Sequence, residues 1–260
     1  MSDPEASIVV PAYNESRRIG PSLDRIQEYF EKSGVSFEVI VVDDGSTDGT
    51  AEVVRARGAR VLVLERNRGK GAAVRAGVLA SRGDAVLFTD ADLSTPIDQW
   101  RPFREKLDEG YDVVVGSRAI PGARLEIRQP WFRETMGKCF NRILRLVLPF
   151  DLRDSQCGFK LFRAAAARRL FGTARIDGFA FDAEILFLAF RFGYRVAEIP
   201  VPWFNSLPSR VDPLRHSAQM FRDLLRIRLL AARGAYGRPT PLTEPSLNAF
   251  AGAERDDDGP

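Results

Sequence analysis

In the first third of the chain, SIVVPA from Ser7, FEVIVV from Phe37, RVLVL from Arg60 and AVLFT from Ala85 are nearly unbroken apolar runs rich in β-branched residues. A strand with one wet face alternates apolar and polar residues, whereas one that is apolar throughout must be covered on both sides. Between these runs lie stretches with helical spacing, Ile19–Phe30, Thr50–Arg57 and Gly71–Ala80. The alternation predicts an α/β fold with a mostly parallel central sheet and helices on both faces. Ligands of such sheets bind outside the carboxyl ends of the strands. Here those ends read PAYNE, DDGST, ERNRGKG and TDADLS, the most polar segments of this half.

The pattern continues with a helix over Asp98–Glu109 and a strand over Tyr111–Gly116 that runs into GSR. Beyond a stretch of loop composition, Ile120–Pro130, the chain is less regular. It reads as an amphipathic helix over Pro130–Phe150, then a loop, short strand and helix over Asp151–Phe171. An apolar helix over Phe179–Phe192, a strand over Arg195–Val201 and an arginine-rich amphipathic helix over Ser217–Ala232 follow. After Gly234, proline, glycine and an aspartate run dominate, the composition of a disordered tail. The expected organisation is a short arm over 1–6, one domain over 7–233 built from halves 7–120 and 121–233, and a tail over 234–260.

Composition removes several functions. One histidine, His216, and two cysteines without paired spacing, Cys139 and Cys157, argue against zinc chemistry and a histidine-centred triad. MSDPEAS lacks the basic and apolar regions of a signal peptide, and no apolar run reaches the roughly 18 to 20 residues that span a bilayer. A cytoplasmic protein, peripheral on the inner face of the membrane, is the expectation. The net charge is only +3, but arginines crowd the stretch from Arg118 to Arg238, which suits anionic phosphates or an anionic membrane surface. Nothing points to nucleic acid.

Asp90 and Asp92 are separated by one residue at the end of an apolar strand and so point to the same side if the strand geometry persists. Such a pair is either a solvated turn or a site for a hard cation that shares carboxylates with substrate phosphates. The other strand ends add Tyr13 and Glu15, Asp44, and Lys70 between two glycines. An aromatic ring, hydrogen-bonding carboxylates, a cation and a metal-binding pair are what a nucleoside diphosphate needs. Each has a structural reading as well: Tyr13 packing on the sheet, Asp44 capping a turn with Ser46 and Thr47, and Gly69–Gly71 turning into a helix. Four at successive strand ends favour the functional one. Neither G-x-x-x-x-G-K-[ST] nor a G-x-G-x-x-G after the first strand is present, which removes support from NTPase, kinase and dinucleotide readings.

Taken in order, SIVVPAYNES, VVDDGSTDGT, RGKGAAVRAG and FTDADLS resemble the nucleotide-sugar half of inverting, GT-A type family 2 glycosyltransferases. GSR at Gly116–Arg118, DSQCGFKLF at Asp154–Phe162 and AFDAEILFLA at Ala180–Ala189 resemble the polyprenyl-phosphate sugar synthases, in particular the dolichyl-phosphate β-glucosyltransferase branch. The resemblance runs from about Ser7 to Leu230. It implies that Pro11, Tyr13, Glu15, Val42 and Asp44 surround base and ribose, and that Lys70 and Asp90 continue the donor site. It further implies that Asp92, with Asp90, holds Mg²⁺ or Mn²⁺. Ser94 stands where the mannosyl branch has a metal-binding glutamine. Arg118 and Arg133 match positions for the acceptor phosphate, and Arg210 replaces a lysine near the donor pyrophosphate, which keeps the charge but changes the geometry.

The implied reaction is inverting transfer of a hexose to a polyprenyl or dolichyl phosphate at the membrane surface, with UDP-glucose the favoured donor and GDP-mannose the other. A phosphate acceptor is already anionic and needs no general base. The alternative within the family is a glycan or small-molecule hydroxyl acceptor, for which Asp182 would be the base; with a phosphate acceptor Asp182 would instead orient acceptor-side arginines or the donor sugar. A further alternative is a non-catalytic nucleotide-sugar-binding module. Cys157 carries no mark of an activated thiolate.

Overall fold

The computed structural model describes residues 3–125, 148, 152–204 and 213–237. Arg133, Arg210, Cys139, the helix expected over Pro130–Phe150 and the chain beyond 237 lie outside the described residues.

The strands are β1 (Ala6–Ala12), β2 (Phe37–Asp43), β3 (Arg60–Val63), β4 (Ala85–Thr89), β5 (Val113–Ser117), β6 (Arg124–Leu125), β7 (Phe159–Arg163), β8 (Val196–Pro200) and β9 (Pro202–Trp203). The helices are α1 (Ile19–Ser33), α2 (Thr50–Arg55), α3 (Lys70–Leu79), α4 (Trp100–Asp108), α5 (Ala164–Thr173), α6 (Phe181–Arg191) and α7 (Pro213–Ala232). Seven strands form one sheet in the order β3-β2-β1-β4-β7-β5-β8, and β6 and β9 form a separate parallel pair. Every neighbour in the large sheet is parallel except β7, which runs antiparallel to both β4 and β5.

The unbroken apolar runs have the expected cause. Val9 of β1 faces a core shared with α3, α5, α6 and α7, while Ile8 and Val10 face one shared with α1 and α4. Pairing of β7 and β8 with strands of the first half also means that the two halves share one sheet. Residues 234–237, assigned by composition to the tail, instead continue the fold. Tyr236 is 3% exposed and donates its hydroxyl to Glu184 Oε1 at 2.5 Å. That buried hydrogen bond to a carboxylate ties the end of α7 to α6.

Candidate active site

Parallel pairing brings the polar strand ends to one edge. Pro11 pairs with Val42 and Ala12 with Asp43, so the residues that follow, Tyr13 and Asp44, leave the sheet together. Because β7 is antiparallel, its start lies at this edge, and the Asp90 N–H donates to the Gly158 carbonyl at 3.1 Å. Tyr13 is 44% exposed and Val42 is fully buried, its side chain packed under α3 where Gly77 leaves room. Glu15 is held by both arms of Arg18, at 2.7 and 2.6 Å.

The turn after β2 is capped by Asp43, which accepts from Ser46 N at 2.8 Å, while Thr47 N donates to Asn14 Oδ1 at 2.9 Å. A turn-capping role for Asp44 is therefore corrected: its two oxygens accept from the N–H groups of Arg68 and Gly69, each at 2.8 Å. Burial pushes the Asp44 carboxyl up against the pull of those bonds. The same loop is gripped from the other side, where Ala72 N donates to the Asp177 carbonyl at 3.1 Å. A Cβ at Gly69 would lie 2.6 Å from that carbonyl oxygen, and one at Gly71 would lie 2.6 Å from Phe181 Cβ. The glycines flanking Lys70 thus permit two backbones to approach, and Lys70 starts α3 from a fixed position.

Around that position the charges interlock. Lys70 Nζ meets Asp90 Oδ1 at 2.7 Å and lies 5.2 Å from the Phe88 ring centroid. Burial works against its charge, but Asp90, Asp182 and Asp92 outweigh it and hold the ammonium above its usual range. Lys160, 1% exposed, donates to Asp182 Oδ1 at 2.5 Å and to the Cys157 carbonyl at 2.6 Å. Asp182 is itself 4% exposed; burial pushes its carboxyl up against Lys160 and Lys70. Arg118 binds Asp154 through Nε at 2.7 Å and Nη2 at 3.0 Å, a bidentate fork. Burial opposes ionisation of Asp154, and Arg118 overcomes it, leaving the carboxyl below the ordinary range. Burial also raises the Cys157 thiol to about 11, which keeps it protonated and unreactive.

Lys160, Asp154 and Gly158 are absent from the sequence-based candidates. Nothing local marks a lysine inside FKLF as the partner of an aspartate on a distant helix. The only available signal is the oddity of a charge within an otherwise apolar strand.

Among the described residues no three Asp, Glu, His or Cys side chains form a ready-made cage for a metal. A cation that keeps several waters and shares one or two carboxylates with substrate phosphates needs none. Asp90 and Asp92 supply hard oxygen ligands. The side chain of Asp90 occupies space that only glycine leaves open, since a Cβ at Gly158 would lie 1.9 Å from Asp90 Oδ2. Ser94 is buried and orients the second aspartate through its N–H, 3.0 Å from Asp92 Oδ1. Lys70, Lys160, Arg118 and the Glu15-paired Arg18 stand around Asp90, Asp92, Asp154 and Asp182. The residues present therefore fit Mg²⁺ or Mn²⁺.

An edge built this way, paired carboxylates beside a lysine at a helix N-terminus on a mostly parallel sheet, is the arrangement of a GT-A glycosyltransferase. The chain belongs to glycosyl transferase family 2, whose family model matches residues 7–171. It is 36% identical over 254 residues to a dolichyl-phosphate beta-glucosyltransferase from Homo sapiens, covering 89% of this chain and 77% of that one. The same-named protein of Dictyostelium discoideum is 38% identical over 241 residues, covering 85% and 73%. Among solved structures, glucosyl-3-phosphoglycerate synthase from Mycobacterium tuberculosis, in complex with Mn²⁺, UDP-glucose and phosphoglyceric acid, superposes with a TM-score of 0.66 at 26% identity. That match covers 91% of this chain and 81% of the other. Mannosyl-3-phosphoglycerate synthase from Rubrobacter xylanophilus shares the fold, with a TM-score of 0.64 at 22% identity over 94% of this chain and 78% of that one.

Proposed function

We propose that the protein transfers glucose, with inversion, from UDP-glucose to a polyprenyl phosphate, with Mg²⁺ or Mn²⁺ held at Asp90 and Asp92. The observation that carries the acceptor class is the state of Asp182. A hydroxyl acceptor needs a carboxylate base that can reach it, and Asp182 is buried with Oδ1 held by Lys160 at 2.5 Å. A phosphate acceptor needs no base. The names of the relatives support the same reading.

In the reaction an acceptor phosphate oxygen attacks the anomeric carbon, the bond from that carbon to the diphosphate oxygen breaks, and its electron pair leaves with UDP. No proton moves. Lys70, released from Asp90 as the donor enters, meets the charge that grows on the diphosphate, and the N-terminus of α3 adds its dipole. The metal, when bound, supplies Lewis-acid stabilisation of the same charge. Tyr13 covers the base, Pro11 and Glu15 border the ribose, and Val42 and Asp44 act from beneath by supporting α3 and the glycine loop. Arg210 serves the donor pyrophosphate and Arg133 the acceptor phosphate. Arg118, with its fork committed to Asp154, contributes positive potential and holds that wall in place.

The test is label transfer from UDP-[¹⁴C]glucose, beside GDP-[¹⁴C]mannose, to a short-chain polyprenyl phosphate, to phosphoglycerate and to simple sugars. Label from UDP-glucose should move only to the lipid phosphate and only with Mg²⁺ or Mn²⁺. Label in phosphoglycerate or a sugar, with none in the lipid, would overturn the acceptor assignment.

A further inference from the structure

Helix α7 carries two apolar faces. Leu224 and Ile227 are fully buried, and Met220, Leu230 and Ala231 pack beside them against α6 and the sheet. On the other side Phe221, Leu225 and Leu229 are 45%, 50% and 49% exposed. Their spacing of four residues puts them in one strip along the helix. At about 100° per residue, Arg228 borders the strip on one side and Arg222, Arg226 and Arg233 on the other, all exposed. The one carboxylate of α7, Asp223, is 9% exposed and turned inward.

We infer that this face of α7 docks the protein on an anionic lipid bilayer. An exposed apolar strip edged by arginines and free of carboxylates is the pattern of an interfacial helix, with leucines at the acyl boundary and guanidinium groups among headgroup phosphates. The same charges disfavour a second copy, because two such strips would set arginine against arginine. Through its inner face the helix also packs on segments that adjoin the active site. Gln156 Nε2 is 3.9 Å from Met220 Sδ, and a Cβ at Gly178 would lie 3.3 Å from Gln219 Nε2 and 3.4 Å from Asp223 Oδ2. Gly178 adjoins Asp177, whose carbonyl packs on the Lys70 loop. A bilayer against the outer strip would lie about one helix diameter, roughly 10 Å, from those walls, within reach of an acceptor phosphate at the membrane surface. The inference rests on the lipid-phosphate reading for its purpose, not for its geometry.

The experiment is co-sedimentation of the full chain with phosphatidylcholine vesicles, with and without phosphatidylserine. Wild type should bind the anionic vesicles more tightly and release with salt. Leu225→Asp/Leu229→Asp should weaken binding about tenfold or more, and Arg222→Gln/Arg226→Gln about fivefold per arginine. Both variants should keep their circular dichroism and their transfer to a short-chain acceptor. Equal binding by wild type and the leucine variant would overturn the inference, as would no binding by wild type. A wild-type dimer that the leucine variant dissociates would assign the strip to a second copy and overturn it as well. Vesicle binding without transfer to any lipid phosphate would instead mark failure of the functional reading alone.

Discussion

Lys160→Met tests the buried pair at the centre of the site. The ammonium is 1% exposed and Asp182 4%, and the two meet at 2.5 Å. Removing the cation leaves a carboxylate in the core with no compensating charge on that oxygen, a change that costs about 3–5 kcal/mol. The sign with pH follows from the Asp182 carboxyl, which burial already raises above 3.8 in the folded protein. A carboxyl with a raised folded pKa binds its proton more tightly when folded, so stability falls as pH rises from the unfolded value to the raised folded one and is level above it. Without Lys160 the rise is larger, and each further unit is worth about 1.4 kcal/mol. Urea unfolding should therefore show a deficit near the full value at pH 8 that shrinks toward pH 5. Lys160→Met/Asp182→Asn should recover much of it, because neither charge remains. A deficit below about 1 kcal/mol at pH 8, or one that does not change with pH, would refute the reasoning.

Gly158→Ala places a Cβ against the Asp90 carboxylate; it should cost about 1–3 kcal/mol by urea unfolding and raise the metal concentration needed for half-maximal activity. Arg118→Lys keeps the charge and loses the fork, at about 1.5–3 kcal/mol. In wild type, Asp154 sits below 3.8, so its contribution is complete above that pH and lost as pH falls through the folded value; Arg118→Lys should flatten that acid limb of the stability profile. Tyr236→Phe removes the 2.5 Å bond to Glu184 and should cost about 1.5–3 kcal/mol, with earlier tryptic cleavage in α7. Unchanged cleavage would mean that Tyr236 does not hold the helix.

The parallel half of the sheet was legible because β1, β2 and β4 are covered on both faces, and continuous apolar runs have no other cheap explanation. The place of β7 was not. Phe159–Arg163 reads as a strand, but its insertion, antiparallel, between β4 and β5 depends on partners far away in sequence. The candidate site divides in the same way. Asp90, Asp92 and Lys70 stand out because carboxylates and a glycine-flanked lysine at apolar strand ends are locally anomalous. Asp154 under Arg118 and Lys160 under Asp182 are pairings made by the fold, so one partner was visible and the other was not. Asp44 stands out as a carboxylate at an apolar strand end, but that both its oxygens go to the backbone of the glycine loop is a contact no local pattern specifies. The outer strip of α7 was partly legible, since helical spacing predicts an amphipathic helix; which leucines the core leaves uncovered depends on how deep the helix sits.

The central claim is that the polar strand ends form one metal-dependent donor site, and calorimetric titration of UDP-glucose into the full chain tests it most directly. With Mn²⁺, wild type should bind and Asp92→Asn should bind at least about tenfold more weakly, while without metal the two should be alike. Equal affinity of wild type and Asp92→Asn in the presence of Mn²⁺ would contradict the account.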